Sequence, residues 1–164
     1  HVPVKDIAMH ITADRIESKL KAVAHSLQND FGITNPSVAV LGLNPHSGDQ
    51  GVIGKEEINT LVPLLQNLDI EKTEINGPFS ADAFFGSKSY KNYDAILAMY
   101  HDQGLIPFKT LSFGKGVNFT AGLPVVRTSP DHGTAFAIAG KGEADPESFA
   151  QAVQVATEIV DRRT

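Results

Sequence analysis

The feature that most constrains this chain is an apolar run, Ala95-Ile96-Leu97-Ala98-Met99, that breaks off into Tyr100-His101-Asp102-Gln103-Gly104. Such a run suits a buried strand, and in an open α/β sheet the polar groups past the carboxyl ends of the strands face the crevice where ligands bind. The same layout occurs earlier, where Ser37-Val38-Ala39-Val40-Leu41-Gly42-Leu43 runs into Asn44-Pro45-His46-Ser47-Gly48-Asp49. Residues 38–43 are expected to form a strand buried on both faces. A third histidine, His1, stands beside Val2-Pro3. Whether His1, His46 and His101 share one site depends on which strands are neighbours.

Helical spacing surrounds these runs. Ile16, Leu20, Val23, Ala24 and Leu27 make one stripe of a helix that begins after Thr12, its expected N-cap, and exits before Gly32 and Pro36. Residues 56–68 resume the spacing, and Pro63 should kink or divide that helix because it lacks an N–H. A weak strand at residues 73–75 is expected to end at Asn76-Gly77-Pro78, and Ser80 should cap a short helix with Asp82 in its first turn. Residues 44–54 read as a loop and residues 105–113 as mixed. Val117-Asn118-Phe119-Thr120 and Val125-Val126-Arg127-Thr128 predict a hairpin. A short helix is expected over residues 135–139. The final helix should start at Asp145-Pro146 and bury Phe149, Val153, Ala156, Ile159 and Val160. Strands alternating with amphipathic helices predict α/β architecture with a largely parallel sheet.

Composition excludes several classes. The chain has 164 residues, 41% of them hydrophobic, which suits a globular domain rather than a disordered one. It has no cysteine, so a metal site must use His, Asp, Glu or water. The formal net charge of -5 disfavours nucleic acid as a partner, and no stretch approaches the roughly 20 apolar residues that span a bilayer. A chain that opens on His within loop-like sequence is expected to be a fragment, a processed product or the ordered part of something longer.

Nucleophile-elbow and P-loop patterns are absent, and Gly114-Lys115-Gly116 lacks the strand-glycine-helix context of a dinucleotide fingerprint. Histidines at two strand exits suit a divalent first-row metal, with His1 as a third ligand; the alternative is ordinary turn residues. Read locally, Asp102 and His132 are turn residues and Asp82 is a capping charge. Lys109, Asn118 and Arg127 either receive an anion or lie on the surface.

Taken together, the motifs carry a resemblance. His1-Val2-Pro3, Gly42-Leu43-Asn44-Pro45-His46-Ser47-Gly48, Ala98-Met99-Tyr100-His101-Asp102-Gln103-Gly104, residues 114–118 and Arg127-Thr128-Ser129-Pro130-Asp131-His132-Gly133-Thr134 resemble, in order, the carboxyl-terminal half of the 4-hydroxythreonine-4-phosphate dehydrogenase family. The resemblance implies a fold like that of the isocitrate and isopropylmalate dehydrogenases, with residues 1–164 contributing to both lobes. It implies NAD-dependent (or NADP-dependent) oxidation and decarboxylation of 4-phosphooxy-L-threonine to 3-amino-2-oxopropyl phosphate in a cytoplasmic homodimer with shared active sites. It further implies a divalent metal, zinc first and magnesium or cobalt as alternatives, on His1, His46 and His101. Lys109, Asn118 and Arg127 would hold substrate, Asp82 and Asp102 would act in proton transfer or support the metal ligands, and His132, Gly133 and Thr134 would lie near the cofactor. This chain alone is expected to be inactive. The same residues also suit a dehydrogenase of threonate or erythronate 4-phosphate, and a different class of reading is a non-catalytic metal-binding or dimerisation module.

Overall fold

In the computed structural model, which describes residues 1–134 and 136–164, the strand β1 (Ser37–Leu41) lies at the centre of a three-stranded parallel sheet. Its neighbours are β2 (Glu74–Phe79) and β3 (Ala95–Leu97), in the order β2-β1-β3. Val38 stands opposite Ile75 on one side and Ala95 on the other. Alternation along β1 divides the core in two. Val38 and Val40 pack with Ile16, Leu20, Leu61 and Met99, whereas Ala39 and Leu41 pack with Phe84 beneath Phe79, Tyr90 and Tyr93. All four β1 side chains from Val38 to Leu41 are fully buried, and a fully buried Val or Leu contributes roughly 1.5–3 kcal/mol.

The first of these layers comes from α1 (Ala13–Asn29), whose buried residues include the expected Ile16, Leu20, Ala24 and Leu27. Thr12 occupies the N-cap position with extended backbone but makes no side-chain capping bond. Pro63 does divide the second helix: a wide π turn over Glu57–Leu61 passes into α2 (Val62–Asn67), with Pro63 in the first turn, where its missing N–H costs nothing. The second layer comes from α3 (Ala81–Gly86), where Ser80 is the N-cap residue.

Several expectations need correction. The strand β2 does not stop at Asn76-Gly77-Pro78 but runs through it to Phe79, with a register shift against β1 between Ala39 and Leu41. An edge strand tolerates proline because one side of its backbone needs no partner, and Gly77 has no Cβ to strike the Val40 carbonyl. Residues 105–113 are not mixed: α4 (His101–Ser112) covers most of them, its pattern obscured by Gly104 and the internal Pro107. The hairpin exists as β4 (Val117–Phe119) and β5 (Thr128–Pro130), but its second strand lies C-terminal to Val125, Val126 and Arg127.

The last helix, α5 (Glu147–Arg163), covers the hairpin and receives an N-terminal bond from Glu147 N–H to Asp145 Oδ1 at 2.9 Å. Its buried residues are Ser148, Ala152 and Ile159, while Phe149, Val153 and Val160 are exposed. Two short strands cover only a narrow stripe of a helix, so the predicted apolar face is wider than the face this chain buries. Of the short helix expected over 135–139, a single 3₁₀ turn forms at Phe136–Ile138, and Ala135 lies outside the described residues. Among the described residues no helix is long and apolar enough to cross a membrane.

Candidate active site

The parallel sheet places the exits of β1 and β3 side by side, and Gln103 stitches them together. Its Oε1 accepts the Met99 N–H at 2.7 Å, and its Nε2 donates to the Gly42 carbonyl at 2.7 Å. His101 opens α4 directly after the extended Tyr100. Its Nδ1 lies 2.7 Å from Asp102 Oδ1. An ionised carboxylate only accepts, so in the neutral imidazole this contact places the proton on Nδ1 and leaves the Nε2 lone pair free. The His1 ring packs edge-on to His101, with centroids 5.1 Å apart. Both border a cavity of about 740 Å³ whose wall also includes Tyr100, Phe108, Asn118 and Asp131. Thus His1 and His101 meet, whereas the strand-exit positions predict that His101 pairs with His46.

His46 takes a different position. Residues 44–54 are not a featureless loop, because His46, Ser47, Asp49 and Gln50 all adopt left-handed backbone, with φ between 44° and 53°. Each such non-glycine residue costs about 1–2 kcal/mol, so the packing around this turn has to hold it. His46 is exposed and, among the described residues, does not join His1 and His101 in a three-ligand cluster. The Asp82 carboxyl is held below its usual range first by the Ser80 hydroxyl, at 2.6 Å, then by the Ala83 N–H, with a further contribution from attraction to His46. Asp82 and Asp102 both border a second, largely apolar cavity of about 480 Å³ between α3 and α4.

The predicted anion set is split. Lys109 Nζ donates to the Asp131 carbonyl at 3.1 Å and lies 3.4 Å from its carboxylate, beside the cavity that Asn118 and Asp131 border. Arg127 lies apart, its Nη1 donating to Thr120 Oγ1 at 2.9 Å across the hairpin connection. His132, Gly133 and Thr134 are exposed, and His132 Nδ1 lies 3.0 Å from the neighbouring Gly133 carbonyl. Sequence reading missed Asp131, which anchors Lys109, and Gln103, which joins the strand exits. Asp131 had a signal, as an acid beside the singled-out His132; a buried glutamine has none, because periodicity does not say which polar residue turns inward.

Residues 1–156 match the family described as pyridoxal phosphate biosynthetic protein PdxA. The chain belongs to that family. It is 52% identical over 163 residues to a 4-hydroxythreonine-4-phosphate dehydrogenase of Bacteroides thetaiotaomicron, covering 99% of this chain and 45% of the relative. The crystal structure of the enzyme of that name from Klebsiella pneumoniae matches all of this chain and 49% of its own, with a TM-score of 0.79 at 38% identity. A terephthalate 1,2-cis-dihydrodiol dehydrogenase from Burkholderia xenovorans LB400 matches 96% of this chain and 50% of its own, with a TM-score of 0.75 at 30% identity. The chain therefore spans about half the length of the relatives it matches.

A metal site of the kind the PdxA resemblance implies is only half built within this chain. His1 and His101 present two imidazoles with suitable donor chemistry, but among the described residues no three His, Asp or Glu side chains converge. What this PdxA-family chain assembles by itself is a histidine pair supported by a carboxylate, an amide at Asn118, and a lysine anchored at the rim. These groups are exposed, so they are open to whatever completes the site.

Proposed function

We propose that this chain is part of an NAD-dependent (or NADP-dependent) dehydrogenase that oxidises 4-phosphooxy-L-threonine at its secondary alcohol and releases carbon dioxide, giving 3-amino-2-oxopropyl phosphate on the way to pyridoxal phosphate. Membership of the family supports the reaction class. The observation that carries it in this chain is the meeting of His1, His101 and Asn118 around one cavity beside the Lys109–Asp131 pair, with Asp102 bonded to His101.

In this reading a hydride passes from the carbinol carbon to the nicotinamide ring, and the hydroxyl proton goes to a base in the site. The ketone so formed lies β to the carboxylate, so carbon dioxide can leave and the resulting enolate collects a proton. Asp102 fixes the His101 tautomer, and Asp82 and Asp102 are the acids assigned to proton transfer. Lys109, Asn118 and Arg127 bind the phosphorylated substrate, and His132, Gly133 and Thr134 border the cofactor. The separation of His46 from the His1–His101 pair supports a homodimer in which a second copy supplies the missing imidazole. A divalent metal, zinc by donor chemistry with magnesium or cobalt as alternatives, belongs to this reading through those three histidines, and no reaction step is derived from it. The reading also places the chain as the carboxyl-terminal half of a two-lobed cytoplasmic enzyme akin to the isocitrate and isopropylmalate dehydrogenases.

The test uses the protein that carries this chain, assayed for reduced nicotinamide with 4-phosphooxy-L-threonine. His101→Ala should abolish turnover and lower bound metal; full metal content with unchanged turnover refutes the assignment. The dihydrodiol dehydrogenase match favours a second reading, in which the same framework oxidises an alcohol without a phosphate. Turnover of a non-phosphorylated cis-diol, with none of phosphooxy-threonine or threonate 4-phosphate, would select it.

A further inference from the structure

Two carboxylates in this chain are almost wholly buried, Asp30 and Glu57, each 1% exposed. Asp30 is paired with Arg163 at 2.7 Å. Glu57 pairs with no Lys or Arg among the described residues; it spends its two oxygens on one residue instead. Its Oε1 accepts the Asn44 backbone N–H at 2.7 Å, and its Oε2 accepts Asn44 Nδ2 at 2.9 Å. The adjacent Glu56 accepts the same Nδ2 at 2.8 Å, so Asn44 is held by two successive acids. A buried carboxyl group is costly unless its oxygens are hydrogen-bonded, which makes this arrangement worth explaining.

Its position supplies the explanation. Asn44 is followed at once by Pro45 and His46, the start of the left-handed turn. The Glu57 carboxylate lies against the inside of that turn: a Cβ on Gly48 would stand 2.7 Å from Oε2, and one on Gly42 would stand 3.1 Å from Oε1. Two glycines thus make room for the charge, at the end of β1 and within the turn. The wide π turn that starts at Glu57 belongs to the same device, since such turns re-aim a side chain within a helix and recur at functional sites. At the ends of the turn, Ser47 N–H donates to the Asn44 carbonyl, Val52 N–H to the Asp49 carbonyl and Ile53 N–H to the Gly48 carbonyl, each at 3.1 Å, and Ser47 Oγ donates to the Pro78 carbonyl at 3.3 Å.

We propose that Glu57 is the positioning residue for His46: through Asn44 and the glycine-lined interior of the turn, its buried carboxyl group holds residues 46–50 in the left-handed form and so fixes where His46 stands. The inference rests on the proposed function only in giving His46 work to do. Its geometric content is independent of that.

The test is Glu57→Gln in the protein that carries this chain, with His46→Ala beside it. Gln preserves size and one acceptor but sets an NH₂ against the Asn44 amide donor, opening the clamp. Histidine ring resonances are observed by NMR, that of His46 being the one missing from His46→Ala. In Glu57→Gln the His46 resonance should shift or broaden while those of the other histidines hold, and kcat should fall about 10–100-fold with KM within about twofold, the range seen when an outer partner of a site residue is lost. A purely structural role would lower the folded fraction and leave both the resonance and kcat per folded molecule unchanged, and that result overturns the inference. Should Glu57→Gln not fold, Asn44→Ala opens the clamp from the other side and must move the same resonance. Unchanged turnover in His46→Ala would overturn the role given to His46 under the proposed function; the resonance of Glu57→Gln then decides the positioning inference by itself.

Discussion

The parallel sheet and the hairpin–α5 layer both carry apolar side chains but complete their burial to different degrees. Around β1 both faces are covered from within the chain, by α1 on one side and by α3 and the aromatic cluster on the other. On α5 a single stripe is covered, and Phe149, Val153 and Val160 stay 62%, 51% and 46% exposed. The difference teaches what periodicity does and does not say. It identifies which residues gain from burial, but not whether the covering surface lies in the same chain. The candidate site lies along the seam between these two regions, since the cavity takes His1 and His101 from the sheet side and Asn118 and Asp131 from the hairpin side.

The comparison can be attacked first where it predicts the most. Leu20 is fully buried beneath β1, so Leu20→Ala should cost about 3–4 kcal/mol, read as a lower urea midpoint at constant slope. A loss below about 1 kcal/mol would mean that the sheet region is loosely packed and the contrast with α5 false. Next comes the seam. Arg163 on α5 reaches the buried Asp30 at the end of α1, so Arg163→Ala should cost about 2–3 kcal/mol by leaving that carboxylate unpaired. Burial pushes the Asp30 carboxyl up, but the Arg163 bond and charge outweigh it and hold the group below its ordinary value. A depressed carboxylate stabilises the fold above its unfolded value of about 3.9 and loses that contribution as pH falls through the folded value. The Arg163→Ala penalty should therefore be full at neutral pH and shrink on acidification; a penalty independent of pH would show that the lost contact is packing rather than charge.

A smaller effect separates stability from function in the same layer. Among the described residues the exposed Arg127 side chain bonds only Thr120, so Arg127→Ala should alter stability by less than about 0.5 kcal/mol. Under the proposed function it should nevertheless raise KM for the phosphorylated substrate by roughly tenfold, the loss of one charge-assisted contact. An unchanged KM would confine the anion site to Lys109 and Asn118.

Much of this was legible in the sequence, and the failures have physical reasons. The α1 stripe and the β1 run were readable because a tertiary partner reinforced the local pattern. Helix α4 was not, since Gly104 and Pro107 weaken its local signal and only docking near the strand exits makes it a helix. In the site, the strand-exit rule correctly placed His101 at the mouth of β3, and the resemblance joined it to His1. Neither foresaw that His46 enters a left-handed turn, because the four non-glycine departures on either side of Gly48 are held by the buried Glu57 rather than by their own preferences.

The smallest predicted effect is the one that bears most directly on the contrast. Val153 and Ile159 lie on the same helix, the first 51% exposed and the second fully buried. Ile159→Ala should cost about 3 kcal/mol. Val153→Ala removes two methyl groups that are half in water, a loss of about 0.8 kcal/mol at about 0.8 kcal/mol per buried carbon, and returns about 0.6 kcal/mol because alanine is the better helix former. The expected net change is thus within about 0.5 kcal/mol of zero, measured by urea unfolding of both variants at one protein concentration. A cost of 2 kcal/mol or more for Val153→Ala would mean that this face is covered in solution, and the difference between the two regions would then belong to the single chain rather than to the working protein.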